Sequence, residues 1–97
     1  MEKSIDDITL QLKSLKPFLS EKFFVQRLGV FGSYASGTQT VSSDLDLLVE
    51  FSKPVGWNFF SLEKYLEESL NIKVDLVTPS AIKNQLKEKI LQTVIYV

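Results

Sequence analysis

Residues 32–51 read GSYASGTQTVSSDLDLLVEF, a turn followed by a strand that contains acids, and the other elements of the chain are arranged around this segment. The segment begins with a Gly-Ser pair, Gly32 and Ser33, directly after an apolar run at residues 28–31. The pair is therefore expected to follow the end of a strand. Backbone N–H groups and a hydroxyl at such a turn can face a phosphate group.

The second half of this segment contains two acids in a strand pattern. Ten residues separate Ser33 from Asp44, and Asp44 and Asp46 are spaced i, i+2, so both carboxylates leave one face of a strand and can share a divalent cation. Asp46 lies between Leu45 and Leu47, where an ionised carboxylate is costly unless a cation or a donor meets it. An acid pair also occurs as a turn cap, and Gly-Ser as an ordinary turn, so the combination is more specific than either half.

A third acid, Asp75, lies alone in the apolar segment KVDLVT. If its strand pairs beside the strand of Asp44 and Asp46, three carboxylates converge and repel one another strongly unless a metal ion is bound. The sequence therefore predicts a magnesium site, with Gly32 and Ser33 binding the outer phosphates of a nucleoside triphosphate.

These groups together predict a reaction at the α-phosphorus of the nucleotide. Two magnesium ions about 3.5 to 4 Å apart can bridge the carboxylates, one lowering the pKa of an attacking hydroxyl and the other holding the triphosphate and the leaving pyrophosphate. In this hypothesis Asp44 and Asp46 hold both ions. Asp75 binds the ion on the nucleophile side and accepts, or orients, the hydroxyl proton.

The length and the charge of the chain limit the classes of function. Ninety-seven residues suffice for one small core, so residues 1–97 are predicted to form a single domain. The formal net charge is -1 and the pI is about 5.4, so the chain lacks the basic surface with which proteins bind DNA or RNA through phosphates. A nucleotide or a protein partner is favoured over direct binding of nucleic acid.

Two residue types are absent from the chain. Because the chain has no cysteine, disulfides, thiolate catalysis and cysteine zinc sites are excluded. Because it has no histidine, Ser-His catalysis is excluded as well, and a general base must be Asp, Glu, Lys, Tyr or bound hydroxide. The N-terminal sequence MEKSIDDITL has acids where a signal peptide has its apolar stretch, and no apolar run reaches membrane-spanning length. The protein is predicted to be unprocessed and cytoplasmic, without membrane contact.

The N-terminal part of the chain predicts a helix. Residues 4–15 have apolar side chains at helical spacing, and Ser4 is the expected N-cap. Because Pro17 has no N–H to donate, we expect a break near Lys16 and a short second turn that ends near Phe23.

The remaining pattern alternates strands with helices. Asn71 predicts a helix end, and Thr78 with Pro79 predicts an N-cap and a first helical position. The apolar C-terminal sequence TVIYV is typical of a short last strand or of an exposed strip for a partner. The predicted elements are strands at 25–31, 44–51 and 73–78, one helical turn at 33–37, a polar connection at 38–43, and helices at 57–70 and from 79 to about 90.

The predicted helix at 57–70 is amphipathic. Its apolar stripe, expected in the core, consists of Phe59, Leu62, Leu66 and Leu70. Its polar face, expected in solvent, consists of Glu63, Lys64, Glu67 and Glu68. Trp57 and Phe60 either stack on a base or, at helical spacing, belong to the core or face a partner.

The complete motif consists of Gly32-Ser33, ten further residues, Asp44-x-Asp46 and the later Asp75. This motif resembles that of the minimal nucleotidyltransferase family of the DNA polymerase β superfamily. The similarity extends from the apolar strand before the Gly-Ser pair to the final TVIYV. It implies a palm-like α+β fold with a mixed central sheet flanked by helices. It also implies magnesium bound by the three aspartates and a triphosphate held at Gly32 and Ser33.

The resemblance implies a function as well. Members of this family are commonly encoded beside a partner with a HEPN domain, an all-helical ribonuclease toxin. The best understood act as antitoxins that transfer AMP from ATP to a tyrosine of that toxin. The chain is accordingly predicted to be an adenylyltransferase that uses two Mg²⁺ ions and ATP and forms a hetero-oligomer with a HEPN toxin.

One position departs from the family pattern, which very often reads Gly-Ser-x-Ala-Arg-Gly where residues 32–37 read GSYASG. Ser36 removes a cation that could neutralise phosphate. This leaves open a second hypothesis, an antitoxin with weak or no catalysis that neutralises its partner by binding alone. Lys73, on the strand face of Asp75, is either a substitute cation or a solvated edge residue. Transfer to a small molecule or an RNA end would require a second domain in trans.

Overall fold

In the computed structural model, which describes residues 4–97, the chain begins with a long helix, α1, at Ile5–Phe23. Ser4 caps this helix as predicted, because its Oγ accepts a hydrogen bond from the backbone N–H of Asp7 at 3.1 Å. The side chain of Asp7 in turn accepts from the backbone N–H of Ser4 at 3.4 Å. This reciprocal capping box fixes the start of α1. Residues 1–3 of the predicted single domain lie outside the described residues.

α1 continues through Pro17, so the predicted break near Lys16 is wrong. A proline inside a helix removes one backbone hydrogen bond and costs about 3 kcal/mol. Ile8, Leu12 and Leu19 lie on both sides of the proline and are fully buried. Because burial of each such side chain contributes about 1.5–3 kcal/mol, packing along the whole helix offsets the local cost.

Four strands form one mixed sheet in the order β3-β2-β1-β4. β1 pairs antiparallel with both β2 and β4, and β2 pairs parallel with β3. The α+β class with a mixed sheet is thereby confirmed. The strands are β1 at Val25–Phe31, β2 at Leu45–Phe51, β3 at Val74–Val77 and β4 at Ile95–Tyr96.

One face of the sheet supports the core. α1 and α3 (Asn58–Leu70) contribute side chains that pack with alternate residues of β1, β2 and β3 in a single cluster. The predicted stripe of α3 is largely confirmed, since Leu62, Leu66 and Leu70 are fully buried and Phe59 is partly buried. The acids of β2 and β3 alternate with these core residues and therefore leave the opposite face.

The polar face of α3 differs from the prediction. Glu63 and Glu67 are not simply solvated: Glu67 Oε2 accepts from the backbone N–H of Val74 at 2.9 Å, and Glu63 Oε2 accepts from that of Leu76 at 3.2 Å. β3 is an edge strand, whose outward N–H groups have no neighbouring strand. The two glutamates satisfy these groups and block further pairing at this edge. Sequence periodicity alone does not distinguish such a glutamate from a solvated one.

We expect Glu67→Ala to lower the free energy of unfolding by about 1–2 kcal/mol, because a part-buried backbone N–H loses its charged acceptor. Urea unfolding followed by circular dichroism measures this change. Glu68→Ala is the matched control, since Glu68 is exposed on the same helix. Equal stability of the two variants would contradict a structural role for Glu67.

The C-terminal third contains two helical segments where one helix was predicted. A 3-10 helix at Pro79–Ala81 is followed by extended backbone at Ile82 and then by α4 at Asn84–Thr93. The single predicted helix is therefore wrong, although the start at the proline is confirmed. α4 has no buried residue, so its position depends on its ends rather than on a core stripe.

β4 and its flanking residues return the chain to the sheet. The backbone N–H of Val97 donates to Leu28 O at 2.9 Å. Gly29 makes this approach possible, because an added Cβ would lie 2.5 Å from Val94 Cγ2 and 3.0 Å from Tyr96 Cδ1. The pairing of β4 with β1 confirms the short last strand and places α4 beside the end of β1. Within residues 4–97, no helix combines the length and the apolar composition needed to span a bilayer.

Candidate active site

The three predicted acids lie at the same end of β2 and β3. Asp46 is the second residue of β2 and is the register partner of Asp75 in the parallel strand β3. The side chains of Asp46 and Asp75 are within hydrogen-bonding contact. Asp44 is exposed and lies one residue before β2, which begins at Leu45 rather than at the predicted residue 44. The expected pairing of the two acid-bearing strands is present.

The pKa of Asp46 is raised from 3.8 to about 6. The largest cause is burial of its carboxyl group, and the negative charges of Asp75 and then Asp44 add to the effect. The contact with the Asp75 side chain, in which one carboxyl group must hold a proton, raises this pKa as well. The three carboxylates are therefore electrostatically coupled, and at neutral pH they repel one another.

Coupled carboxylates of this kind fit a magnesium ion. Among residues 4–97, no three acidic side chains are arranged as a ready metal-binding group. The donor chemistry is nonetheless suitable, because Mg²⁺ prefers carboxylate oxygens and is commonly held by one or two of them. Asp46 and Asp75, whose side chains are in contact, are the pair whose repulsion a cation relieves most directly.

Gly32 connects the predicted phosphate turn to these acids. Gly32 is the residue after Phe31, which pairs with Asp46 across β1 and β2. Its backbone has φ 73° and ψ -148°, a conformation that is essentially restricted to glycine. A Cβ added at Gly32 would collide with Asp46 Oδ2 and lie 3.0 Å from Asp46 Cγ. The turn and the acid are thus in direct contact. α2 (Ser33–Ser36) follows at once and places Ser33, half-buried, at its first position.

A cleft of about 620 Å³ borders this turn, and Asp44, Asp46 and Asp75 do not line it. One wall comes from the end of β1 and from α2, namely Phe31, Gly32, Ala35 and Ser36. The other wall comes from α4, namely Lys89, Ile90 and Thr93. The contribution of α4 was not predicted, and no local motif indicates it, because only the pairing of β4 with β1 brings α4 to this position.

The aromatic pair at the start of α3 does not belong to the site. Trp57 is 85% exposed and Phe60 57% exposed, with ring centroids 5.8 Å apart, so the prediction of a core position is wrong. The pair follows Phe51 at the far end of β2, about 16 Å along the strand from Asp46, which argues against stacking on a nucleotide base at the acids. A partner-facing role remains a prediction.

We expect Asp46→Asn to stabilise the protein at neutral pH in the presence of a chelator. The raised pKa means that the protonated form of Asp46 stabilises the fold fully below pH 3.8, and that this stabilisation is lost as pH rises through about 6. Removing the charge should therefore raise stability at pH 7.5 by about 1 kcal/mol after allowance for solvent screening, or about 4–8 °C in Tm.

Differential scanning fluorimetry from pH 7.5 to pH 4 tests the sign of this effect. The difference in Tm between variant and wild type should shrink as the pH falls, because wild-type Asp46 becomes protonated. A difference that does not change with pH would contradict the coupling of the three carboxylates.

Comparison with known proteins agrees with this geometry. The model of the nucleotidyltransferase domain family matches residues 12–97. The protein adenylyltransferase MntA of Thermococcus cleftensis is 40% identical over 95 residues, which cover 97% of this chain and 96% of the relative. A solved structure described provisionally as a minimal nucleotidyltransferase superimposes with a TM-score of 0.83 at 27% identity, covering 97% of this chain and 96% of the other.

A second solved structure shares the fold. It is the complex of an AMPylated Shewanella oneidensis HEPN toxin with its MNT antitoxin, which matches with a TM-score of 0.64 at 20% identity over 91% of this chain and 69% of the other. At this identity the likeness concerns the fold alone. The match of the family model to most of the chain and the extended identity to MntA show that the chain is a nucleotidyltransferase and belongs to the minimal nucleotidyltransferase family.

Proposed function

We propose that the protein transfers AMP from ATP to a tyrosine hydroxyl of a HEPN-domain toxin and thereby acts as its antitoxin. The observation that carries this proposal is the contact between the Asp46 carboxylate and the backbone of Gly32, with Asp75 beside it. A charged nucleotide tail can approach the backbone at Gly32 while its α-phosphate lies near the acids. Two similar proteins support AMP as the transferred group and a protein as the acceptor: MntA is a protein adenylyltransferase, and the Shewanella oneidensis antitoxin is bound to an AMPylated toxin.

The proposed metal ligands are Asp44, Asp46 and Asp75, and the nucleotide contacts are Gly32 and Ser33. When bound, two magnesium ions would neutralise charge on the triphosphate and lower the pKa of the acceptor hydroxyl. Asp46 is partly buried between apolar neighbours and is held in one place by its strand. Phosphoryl transfer depends on such positioning, because the protein contributes little covalent chemistry.

Asp75 is exposed and can therefore meet the hydroxyl of an incoming acceptor. In the proposed step the tyrosine oxygen attacks the α-phosphorus, the bond to the bridging oxygen breaks, and pyrophosphate leaves. The phenolic proton passes to Asp75 or to solvent. Gly32 keeps the path to the α-phosphate open, because any side chain there would fill the space at Asp46. Residues 1–97 are proposed to provide this chemistry as one domain.

The experiment that tests the proposal uses the purified protein, a HEPN-domain partner, magnesium and ATP labelled at either the α- or the γ-phosphate. AMP transfer predicts label on the partner from α-labelled ATP only. Peptide mapping should locate it on tyrosine. An unlabelled partner that is nevertheless neutralised would favour the rival hypothesis of neutralisation by binding alone, for which the lack of a cation in α2 is the motivating observation.

A further inference from the structure

The cleft beside Gly32 has the size and the chemistry of a nucleotide site. Its volume of about 620 Å³ lies within the range of about 300–1,000 Å³ that is usual for small-ligand pockets. Phe31, Ala35 and Ile90 give it apolar walls. Since Gly32 lines the cleft and also contacts Asp46, a ligand that occupies the cleft can extend across this glycine to the acids.

Among residues 4–97, Lys89 is the one cation that lines this cleft. It is exposed, and within residues 4–97 its ammonium group has no ion-pair partner. The hydroxyls in the cleft are already engaged: Thr93 Oγ1 donates to Lys89 O at 3.1 Å, and Ser36 Oγ donates to Ser33 O at 3.2 Å. The Lys89 ammonium is therefore the available charged donor on this side of the turn.

The groups near Gly32 have opposite charges. The acidic group that includes Asp46 repels phosphate unless cations are bound, whereas the cleft that Gly32 lines contains, within residues 4–97, Lys89 and no acid. α2, which borders the cleft, has the sequence SYAS and supplies no basic side chain. A triphosphate in the cleft therefore requires its protein cation from another element, and α4 is the element that faces it.

We propose that Lys89 binds the phosphates of the nucleotide in this cleft and so supplies from α4 the charge that α2 lacks. The proposal rests on the proposed function, since it concerns the same nucleotide. A lysine binds phosphate as a compact point charge and forms charge-assisted hydrogen bonds. Its contribution increases with the charge of the ligand, so ATP should depend on Lys89 and adenosine should not.

The chain offers a matched control on the same helix. Lys87 lies two residues before Lys89, which places the two side chains on different faces of α4. It lines a separate shallow depression together with Asn84, Glu88 and Leu91, and it does not line the cleft at Gly32. Lys87→Ala removes the same charge from the same helix at nearly the same distance from the chain termini, so it controls for net charge and for helix stability.

Isothermal titration calorimetry tests the proposal, with circular dichroism to verify folding. ATP, ADP and adenosine are each titrated into the wild type and into the variants Lys89→Ala, Lys87→Ala and Lys89→Arg. Lys89→Ala should weaken ATP binding about 10-fold or more, leave adenosine binding unchanged and be rescued by Lys89→Arg. Lys87→Ala should bind ATP as wild type does. Equal ATP affinities of the two alanine variants would overturn the proposal.

The same set of variants separates this inference from the proposed function. If wild type binds ATP in a Lys89-dependent manner but labels no partner, the proposed acceptor is wrong and the role of Lys89 stands. If wild type transfers AMP and Lys89→Ala has an unchanged KM for ATP, the proposed function stands and the role of Lys89 is wrong. A wild-type protein that binds no ATP overturns both.

Discussion

Asp46→Asn and Asp44→Asn are each expected to reduce the rate of AMP transfer by about 10²–10³-fold or more. Loss of one preorganised charged group in a site that works by electrostatic stabilisation typically has an effect of this size. Asp44 lies one residue before β2 and Asp46 is its second residue, and the Asp46 carboxylate is coupled to those of Asp75 and Asp44. Single-turnover assays with α-labelled ATP and the partner measure the rate, and saturating magnesium and ATP exclude an effect on affinity alone.

Glu50→Gln is the control for these two variants. Glu50 lies on β2, four residues after Asp46 on the same face of the strand, and pairs with Arg27 at 3.6 Å, away from the acid end. Glu50→Gln should leave the transfer rate within about twofold of wild type, because a partly exposed ion pair of this kind contributes little. Wild-type rates in Asp46→Asn would contradict the assignment of the active site.

The expected effects on stability and on activity have opposite signs at Asp46. Asparagine should raise the Tm at neutral pH, since it removes a carboxylate whose pKa is raised by burial, and should remove the activity at the same time. An inactive but more stable variant cannot be explained by unfolding. This combination is characteristic of a residue that is retained for chemistry at a cost in stability.

Local signals in the sequence were sufficient for the parts of the site that depend on short spacings. β1 was predicted at its observed bounds, because seven residues of strand pattern end at a glycine. The face shared by Asp46 and Asp75 follows from their alternation with leucine and valine in β2 and β3. The strand pairing itself required tertiary structure, and the spacing was informative because it matched a known family pattern.

Other features depend on contacts between distant segments and could not be predicted from local pattern. Pro17 remains inside α1 because core packing on both sides offsets its local cost. Glu67 binds the edge of β3 because that edge has no neighbouring strand. Lys89 lines the cleft because β4 pairs with β1, which brings α4 beside α2 although Lys89 follows Ser33 by 56 residues in the sequence. In each case the structure depends on a contact between different helices and strands, and the periodicity of apolar residues gives no information on such a contact.

Gly32→Ala is expected to reduce AMP transfer by about 10²-fold and to destabilise the fold by about 1–3 kcal/mol. The expected loss of activity has a specific cause: the new Cβ would overlap Asp46 Oδ2, so the carboxylate must move away from the position in which we propose that it acts on the nucleotide. A displacement of about 1 Å at a reacting centre is enough for a rate effect of this size. The transfer assay and thermal unfolding measure the two effects.

Gly37→Ala separates the collision from the backbone strain. Gly37 also has a positive φ, +78°, but an added Cβ there meets no atom within 4 Å. Its substitution should cost about 1 kcal/mol of stability and leave the transfer rate nearly unchanged. Loss of activity in both variants would mean that the whole loop, rather than the contact at Gly32, limits catalysis. Loss of activity in Gly32→Ala alone would show that catalysis requires a residue without a side chain at position 32, because only then can the turn contact the Asp46 carboxylate.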